Sequence, residues 1–382
     1  MAFGKRNEIK VDILNYNIGL IGESGIGKTT IIKEVLEKLT GTPEGALFAE
    51  CGKEDGADAI NNINYINCPD WDSDYDENAN AVGFSLLIDD IIENKTTDYP
   101  KLRTIVIDTY DQLLDIAKQQ VVRMHNREHP EKRVKSIKGA FGGYGAGDDM
   151  ATNIVLEKLW ELKKVGVNFI IIGHVKQREQ EDIVSGQKYT SLTTNMSLRD
   201  FNAIKTKLHF LGVASINRDI VRERTGKRDV RGRDVTKGVI ASESRQITFR
   251  DDSYSIDSKS RFAEIVPVIE FSADEFIKAL EDAIKMELAK SGKSFEDAKA
   301  EQEKANQEKF EQLEKQEVEA KEEKLIVTKV DELKKCISEK QGDVDSLKLI
   351  MAETKKLGYE NPTVINKVED IDKLIEFVKT LD

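Results

Sequence analysis

Ile18-Gly19-Leu20-Ile21-Gly22-Glu23-Ser24-Gly25-Ile26-Gly27-Lys28-Thr29-Thr30 joins a short apolar run to the helical pattern TTIIKEVLEKL. Gly22, Gly27, Lys28 and Thr29 occupy the fixed positions of G-x-x-x-x-G-K-[ST], the spacing of a phosphate-binding loop. Glycines there let backbone N–H groups turn inward on phosphate oxygens, and the helix that follows presents its positive end to the same anion. The reading assigns Gly22, Glu23, Ser24, Gly25, Ile26, Gly27, Lys28, Thr29 and Thr30 to ATP, Lys28 to the β- and γ-phosphates, and the Thr29 hydroxyl to Mg²⁺. The bland alternative is a glycine-rich turn that binds nothing. The strand before the loop and the helix after it both argue against that.

Outward from the loop, Ile18–Ile21, Ala46–Ala49, Tyr65–Cys68, Thr104–Ile107 and Asn168–Ile172 read as strands. The runs TIVID and NFIIIG are nearly continuous and β-branched, as in strands buried on both faces of a parallel sheet. Helical patterns lie between them at Thr29–Leu39, Asp111–Met124 and Ile154–Lys164. This alternation predicts an α/β fold with right-handed crossovers. Asp108 ends TIVID, where a carboxylate beside a phosphate loop is placed to hold Mg²⁺; the alternative is a cap for the next helix. His174 follows NFIIIG at the edge where α/β ligands bind, placed to sense the γ-phosphate; the alternative is a strand-end histidine satisfied by backbone.

The 382 residues carry a net charge of −12, which argues against a protein that coats nucleic acid with its whole surface but leaves room for a local basic groove. Cys51, Cys68 and Cys336 are too scattered for a disulfide framework or a zinc site and fit a reducing cytoplasm, the expected location. The start MAFGKRNEIK lacks the apolar segment of a signal peptide, and no stretch is apolar enough to predict a membrane span.

From about Tyr189 to Phe271 the pattern alternates and predicts antiparallel strands extending the sheet. Ser272 with Glu275 three residues later forms a capping-box pattern. The Glu-, Lys- and Gln-rich stretch to about 325 predicts a long exposed helix or weak coiled coil held by i,i+4 charge pairs. Apolar positions return in 326–382, which reads as a small helical domain. The expected division is therefore 1–271, 272–325 and 326–382.

In that order, Gly22–Thr30, Asp108-Thr109, Gly142-Gly143-Tyr144-Gly145-Ala146-Gly147, Gly173-His174-Val175-Lys176 and Lys259-Ser260-Arg261-Phe262 resemble the phage-encoded RecA-like AAA-type ATPases, close to the Sak-type single-strand annealing and recombination ATPases. The resemblance covers about residues 8–272. It implies a RecA-like P-loop NTPase core and ATP-dependent action on single-stranded DNA in phage recombination, repair or replication. The expected working form is a homo-oligomer. Thr109, not Glu, follows Asp108, so the acidic pair common in the AAA+ class is missing. The RecA-like class instead takes its water-orienting Glu from just after the strand that follows the phosphate-loop helix. Glu54 and Glu50 are the candidates, Glu54 preferred because Glu50 can still fall within the strand. Two DNA-contacting loops are implied. The first, near 125–147, offers Arg127, Lys132, Arg133, Lys135 and Lys138 for phosphates, with Arg123 just before it and Phe141 and Tyr144 for base stacking. The second, near 175–187, offers Lys176, Gln177 and Arg178. A solvated glycine-rich loop is the bland alternative for both.

Residues 199–250 hold thirteen Lys/Arg against six Asp/Glu, with Arg218, Arg222, Arg224, Lys227, Arg228, Arg231 and Arg233 in one stretch. These serve DNA contact, or one of them acts between subunits as an arginine finger. Residues 291–382 hold 17 basic and 23 acidic residues, which fits a solvated helical surface or a face for a basic partner. Two other readings stand beside the first: an AAA-type switch acting on a protein partner through the C-terminal helices, and a non-catalytic ATP-gated scaffold.

Overall fold

The computed structural model describes residues 4, 8–53, 56–181, 186–228, 234–251, 256–340 and 343–381. The chain divides into two compact units, Met1–Asn306 and Gln307–Asp382. In the first, β1 (Ile18–Gly22), α1 (Lys28–Thr40), β2 (Ala46–Cys51), β3 (Tyr65–Cys68), α2 (Phe84–Glu93), β4 (Thr104–Asp108), α3 (Tyr110–Glu128), α4 (Ala146–Lys164) and β5 (Asn168–Glu181) alternate. Next come β6 (Lys188–Thr194), α5 (Leu198–Lys205), β7 (Phe210–Arg228), β8 (Asp234–Thr248), β9 (Lys259–Ser260), β10 (Val268–Glu270) and α6 (Ala273–Ala289). The start of α7 (Phe295–Glu339) also belongs to this unit.

The sheet runs β10-β8-β7-β1-β5-β4-β2-β3, with β1, β5, β4, β2 and β3 mutually parallel. Its central strands are buried on both faces, as their apolar runs require. Ile105, Ile107, Phe169 and Ile171 face a core shared with α2, α3 and α4. Val106, Ile170 and Ile172 face the other core, filled by Ile31, Ile32, Val35, Phe276 and Leu280 of α1 and α6. Each such fully buried aliphatic side chain contributes about 1.5–3 kcal/mol. The fold is the expected α/β P-loop arrangement with a mainly parallel sheet.

Two local features differ from the pattern reading. β7 is not wholly an antiparallel extension: Phe210–Ala214 pairs parallel with β1 before the strand turns to β8. The run Phe210-Leu211-Gly212-Val213-Ala214 is apolar throughout because it lies inside the parallel sheet. Gly212 is required there, since a Cβ would meet Ile247 Cγ2 at 2.8 Å. β5 also continues well past Ile172. It leaves the parallel sheet at Val175 and forms an antiparallel hairpin with β6, from Val175↔Thr194 to Glu181↔Lys188.

The Lys259-Ser260-Arg261-Phe262 element packs beside the start of β7. β9 pairs with Phe210 and Leu211, and Phe262 stacks on Phe210 at a centroid distance of 4.9 Å. Lys259 Nζ donates to the Lys205 carbonyl at 2.7 Å and Arg261 to the Thr206 carbonyl at 2.6 Å, so both cations cap the end of α5. The Ser272 hydroxyl accepts from Glu275 N at 3.2 Å and starts α6, which packs into the core.

The second unit comprises the remainder of α7, α8 (Val344–Lys356) and α9 (Val368–Thr380) around Val330, Leu333, Ile350, Ile371, Leu374 and Val378. Among the described residues, no helix is long and apolar enough to cross a membrane.

His209 yields a pH prediction. Its Nδ1 accepts from Asn17 N at 2.9 Å. Burial, with Arg261, Lys163 and Lys259 close by, pushes its pKa from 6.5 down to about 4. Between those values the unfolded chain binds a proton that the folded chain excludes, so stability falls as pH is lowered through that window. Urea midpoints at pH 7 and 5 should drop more for the natural protein than for His209→Asn; equal drops would contradict this.

Candidate nucleotide site

The carboxyl edge of the sheet gathers the site. β1 ends at Gly22, in register with His174 of β5, and Glu50 of β2 is in register with Asp108 of β4. β5 lies between β1 and β4, so the phosphate-loop strand and the Asp108 strand are not neighbours. The strand order reverses around β1, which opens the crevice where α/β proteins bind ligands.

The loop takes its shape from its glycines. Gly25 and Gly27 have φ of 72° and 101°, a region that side chains resist. A Cβ on Gly22 would meet the Ala214 carbonyl oxygen at 2.8 Å, so that glycine permits the close approach of β1 and β7. Lys28, only 7% exposed, folds back and donates to the carbonyls of Gly22 at 3.2 Å and Glu23 at 2.9 Å. Its ammonium is thereby held over the loop. The Thr29 hydroxyl donates to Asp108 Oδ2 at 2.6 Å, and Asp108 is 5% exposed.

Two hard oxygen donors so placed suit Mg²⁺, which takes one or two protein ligands and fills its octahedron with phosphate oxygens and water. With a phosphate-bound Mg²⁺, Thr29 and Asp108 would be its protein ligands and Lys28 the companion charge.

Glu50 is inside β2, 2% exposed, and its Oε1 accepts from Ala57 N at 2.6 Å. Paired positions on neighbouring parallel strands present side chains to the same face, so Glu50 and Asp108 emerge together. Glu54 lies outside the described residues. His174 Nδ1 is 3.3 Å from Asp111 Oδ2, which also accepts from Asn195 Nδ2 at 3.1 Å. Burial on its own would raise the Asp111 pKa. The hydrogen bonds from His174, Asn195 and Thr109 and the His174 charge outweigh it and hold the carboxyl below its ordinary value.

Two neighbours of the loop have no signal in the sequence. Arg245 of β8 donates to the Ile26 carbonyl at 3.1 Å, and the Phe271 ring lies 3.5 Å from where a Gly27 Cβ would stand. Both brace the loop from more than two hundred residues along the chain. No local spacing marks them, since the pairing of β8 with β7 and of β10 with β8 brings them there.

The chain matches the family described as AAA domain over residues 14–262. The chain belongs to the AAA domain family. No curated protein matches it. Membership makes this an AAA-type P-loop protein of the nucleotide-binding ATPase class, and the matched span runs from just before β1 to the Phe262 that stacks on β7.

The first basic loop of this AAA protein is organised by α3. Asn126 grips Val134 from both sides, accepting from its N–H at 2.7 Å and donating to its carbonyl at 3.0 Å. Arg123, Asn126, Arg127, Arg133, Val134 and Lys135 line a surface cavity of about 650 Å³. Arg127, Lys132, Arg133, Lys135 and Lys138 are all exposed, and none makes an ion pair among the described residues. Arg123 is committed to Asp72 at 3.0 Å.

The two aromatics differ. Phe141 packs against His125 and His129, whereas Tyr144 is fully exposed at φ 51° between left-handed glycines. In the second loop Lys176 and Gln177 lie on β5, and the Arg178 guanidinium donates to the carbonyls of Thr194 and Met196. Arg218 pairs with Glu243 at 3.1 Å. The side chains of Arg222, Arg224, Lys227 and Arg228, and residues Arg231 and Arg233, lie outside what the structure describes.

Lys28→Ala should weaken ATP binding about 10- to 100-fold, the value of one charge-assisted hydrogen bond, while the far-UV circular dichroism stays unchanged. Unaltered affinity in calorimetry would remove the phosphate-loop assignment.

Proposed function

We propose that the protein hydrolyses Mg²⁺-ATP and couples this to binding single-stranded DNA. In the catalytic part, Lys28 and the loop N–H groups of residues 22–30 hold the phosphates, Thr29 and Asp108 hold the metal, Glu50 orients the attacking water and His174 reads the γ-phosphate. The support for Glu50 over a residue further along is its burial in register with Asp108.

One observation carries the nucleic-acid reading: a cavity lined by cations with no carboxylate among its lining residues, on the loop that also displays Tyr144. Cations neutralise phosphates, and an exposed aromatic stacks on any base, which together favour single strands without sequence preference. A bulky residue held at positive φ costs energy that surface packing does not return, as expected where display itself is useful. The ordered motifs support phage recombination, repair or replication as the setting, and a homo-oligomer as the working form. A protein-directed switch is the outcome if nucleic acid has no effect.

Glu50→Gln should retain ATP binding and lose about 100- to 10,000-fold in turnover. Normal turnover would transfer the role to Glu54. Binding to a fluorescent oligothymidine should weaken with salt. The double variant Arg133→Ala/Lys135→Ala should reduce the slope of log K against log salt by about 1.4, at ~0.7 for each single-strand phosphate no longer neutralised. Tyr144→Ala should cost about 1–3 kcal/mol of affinity. Salt-insensitive binding, or binding untouched by all three changes, would overturn the nucleic-acid reading.

A further inference from the structure

Asp111 lies in the first turn of α3, three residues beyond Asp108. An acid at a helix start is ordinarily explained by the helix dipole. Here the carboxylate turns into the site instead. Its Oδ2 meets His174 Nδ1 at 3.3 Å and accepts from Asn195 Nδ2 at 3.1 Å. Its Oδ1 would stand 3.8 Å from a Cβ on Gly173. Asn195 N also donates to the His174 carbonyl at 3.0 Å.

His174 is the last residue of β5 paired with β1, opposite Gly22 at the mouth of the phosphate loop. The next pair outward, Val175↔Thr194, begins the β5–β6 hairpin. A single carboxylate therefore grips both limbs of that hairpin at its root, on the helix that follows the Asp108 strand. An ionised carboxylate only accepts, so the bond requires a proton on His174 Nδ1. The Arg178 bonds to Thr194 and Met196 then stiffen the first turns of the hairpin, so that it moves with its root.

We infer that Asp111 is a positioning residue that couples the nucleotide site to the β5–β6 hairpin. It fixes the ring of His174 beside the phosphate loop and ties Asn195 to the same oxygen. A shift of His174 between ATP and ADP is passed directly to the strand pair that carries Lys176. The role rests on the proposed reading of His174 as the γ-phosphate sensor.

The test measures ATP and ADP affinities, and amide hydrogen exchange over residues 175–194 with each nucleotide, in the full-length protein and in Asp111→Asn, Asp111→Ala, His174→Ala and Asp111→Ala/His174→Ala. The unaltered protein should exchange differently with ATP and ADP in the hairpin, and Asp111→Ala should erase the difference. ATP-over-ADP discrimination should fall about tenfold in Asp111→Ala, the size of one charged hydrogen bond, with ADP affinity unchanged. The double variant should be no worse than His174→Ala, because a residue acting through another adds nothing once that other is gone. Asp111→Asn keeps the shape and an acceptor oxygen and should lose less, which separates the effect from misfolding. Additive losses in the double variant, or a hairpin response that survives Asp111→Ala, overturn the role of Asp111. If His174→Ala itself leaves discrimination intact, the sensor reading fails with it. None of these readouts uses DNA, so a missing DNA effect counts against the nucleic-acid reading alone.

Discussion

The hydrogen bond from Thr29 to Asp108, 2.6 Å long, spans a strand that belongs to neither partner. It forms only if β5 inserts between β1 and β4 and all three end at the same level. The rest of the first unit serves that constraint. Glycines at 22 and 212 let β7 close against β1 and β8, and continuous β-branched runs keep the central strands buried on both faces. Helices α1 and α6 seal one core, and α2, α3 and α4 the other. A one-residue slip in the β4–β5 register would turn Asp108 away from Thr29, because strand side chains alternate between faces.

The same level brings Glu50 and His174 to the edge, and this is where coupling becomes possible. The candidate metal carboxylate sits on β4, the candidate water-orienting group on β2 and the candidate phosphate sensor on β5, each on a rigid strand end. The elements that leave the edge differ in character. α3 carries its basic groove and Tyr144 away on a glycine-rich loop, whereas the β5–β6 hairpin is stitched to its own root by Arg178 and Asp111.

Much of this is legible in the sequence wherever function depends on local spacing. The phosphate loop, Asp108 and His174 each sit at the end of a continuous apolar run, and such runs announce buried parallel strands. The legible part stops where tertiary contacts decide. Phe141 and Tyr144 look alike in sequence, but His125 and His129 cover one while left-handed glycines push the other into solvent. Sequence favours Glu54 over Glu50 because Glu50 can fall within the strand, and β2 does run on to Cys51; what the sequence does not carry is the burial of Glu50 in register with Asp108. Arg245 and Phe271 reach the loop from more than two hundred residues away, through the pairing of β8 with β7 and β10. Arg178, basic by type, is occupied by backbone carbonyls.

The most direct test of the central claim replaces Mg²⁺ by Mn²⁺ and follows its binding by electron paramagnetic resonance with ATP present. The Thr29–Asp108 arrangement predicts a tight site whose Mn²⁺ couples to nucleotide phosphorus. Thr29→Ala and Asp108→Asn should each weaken that site about tenfold or more, as loss of a metal-orienting group does. Mn²⁺ bound as tightly in both variants as in the natural protein would contradict the account, since it would place the metal away from the strand edge on which the whole arrangement converges.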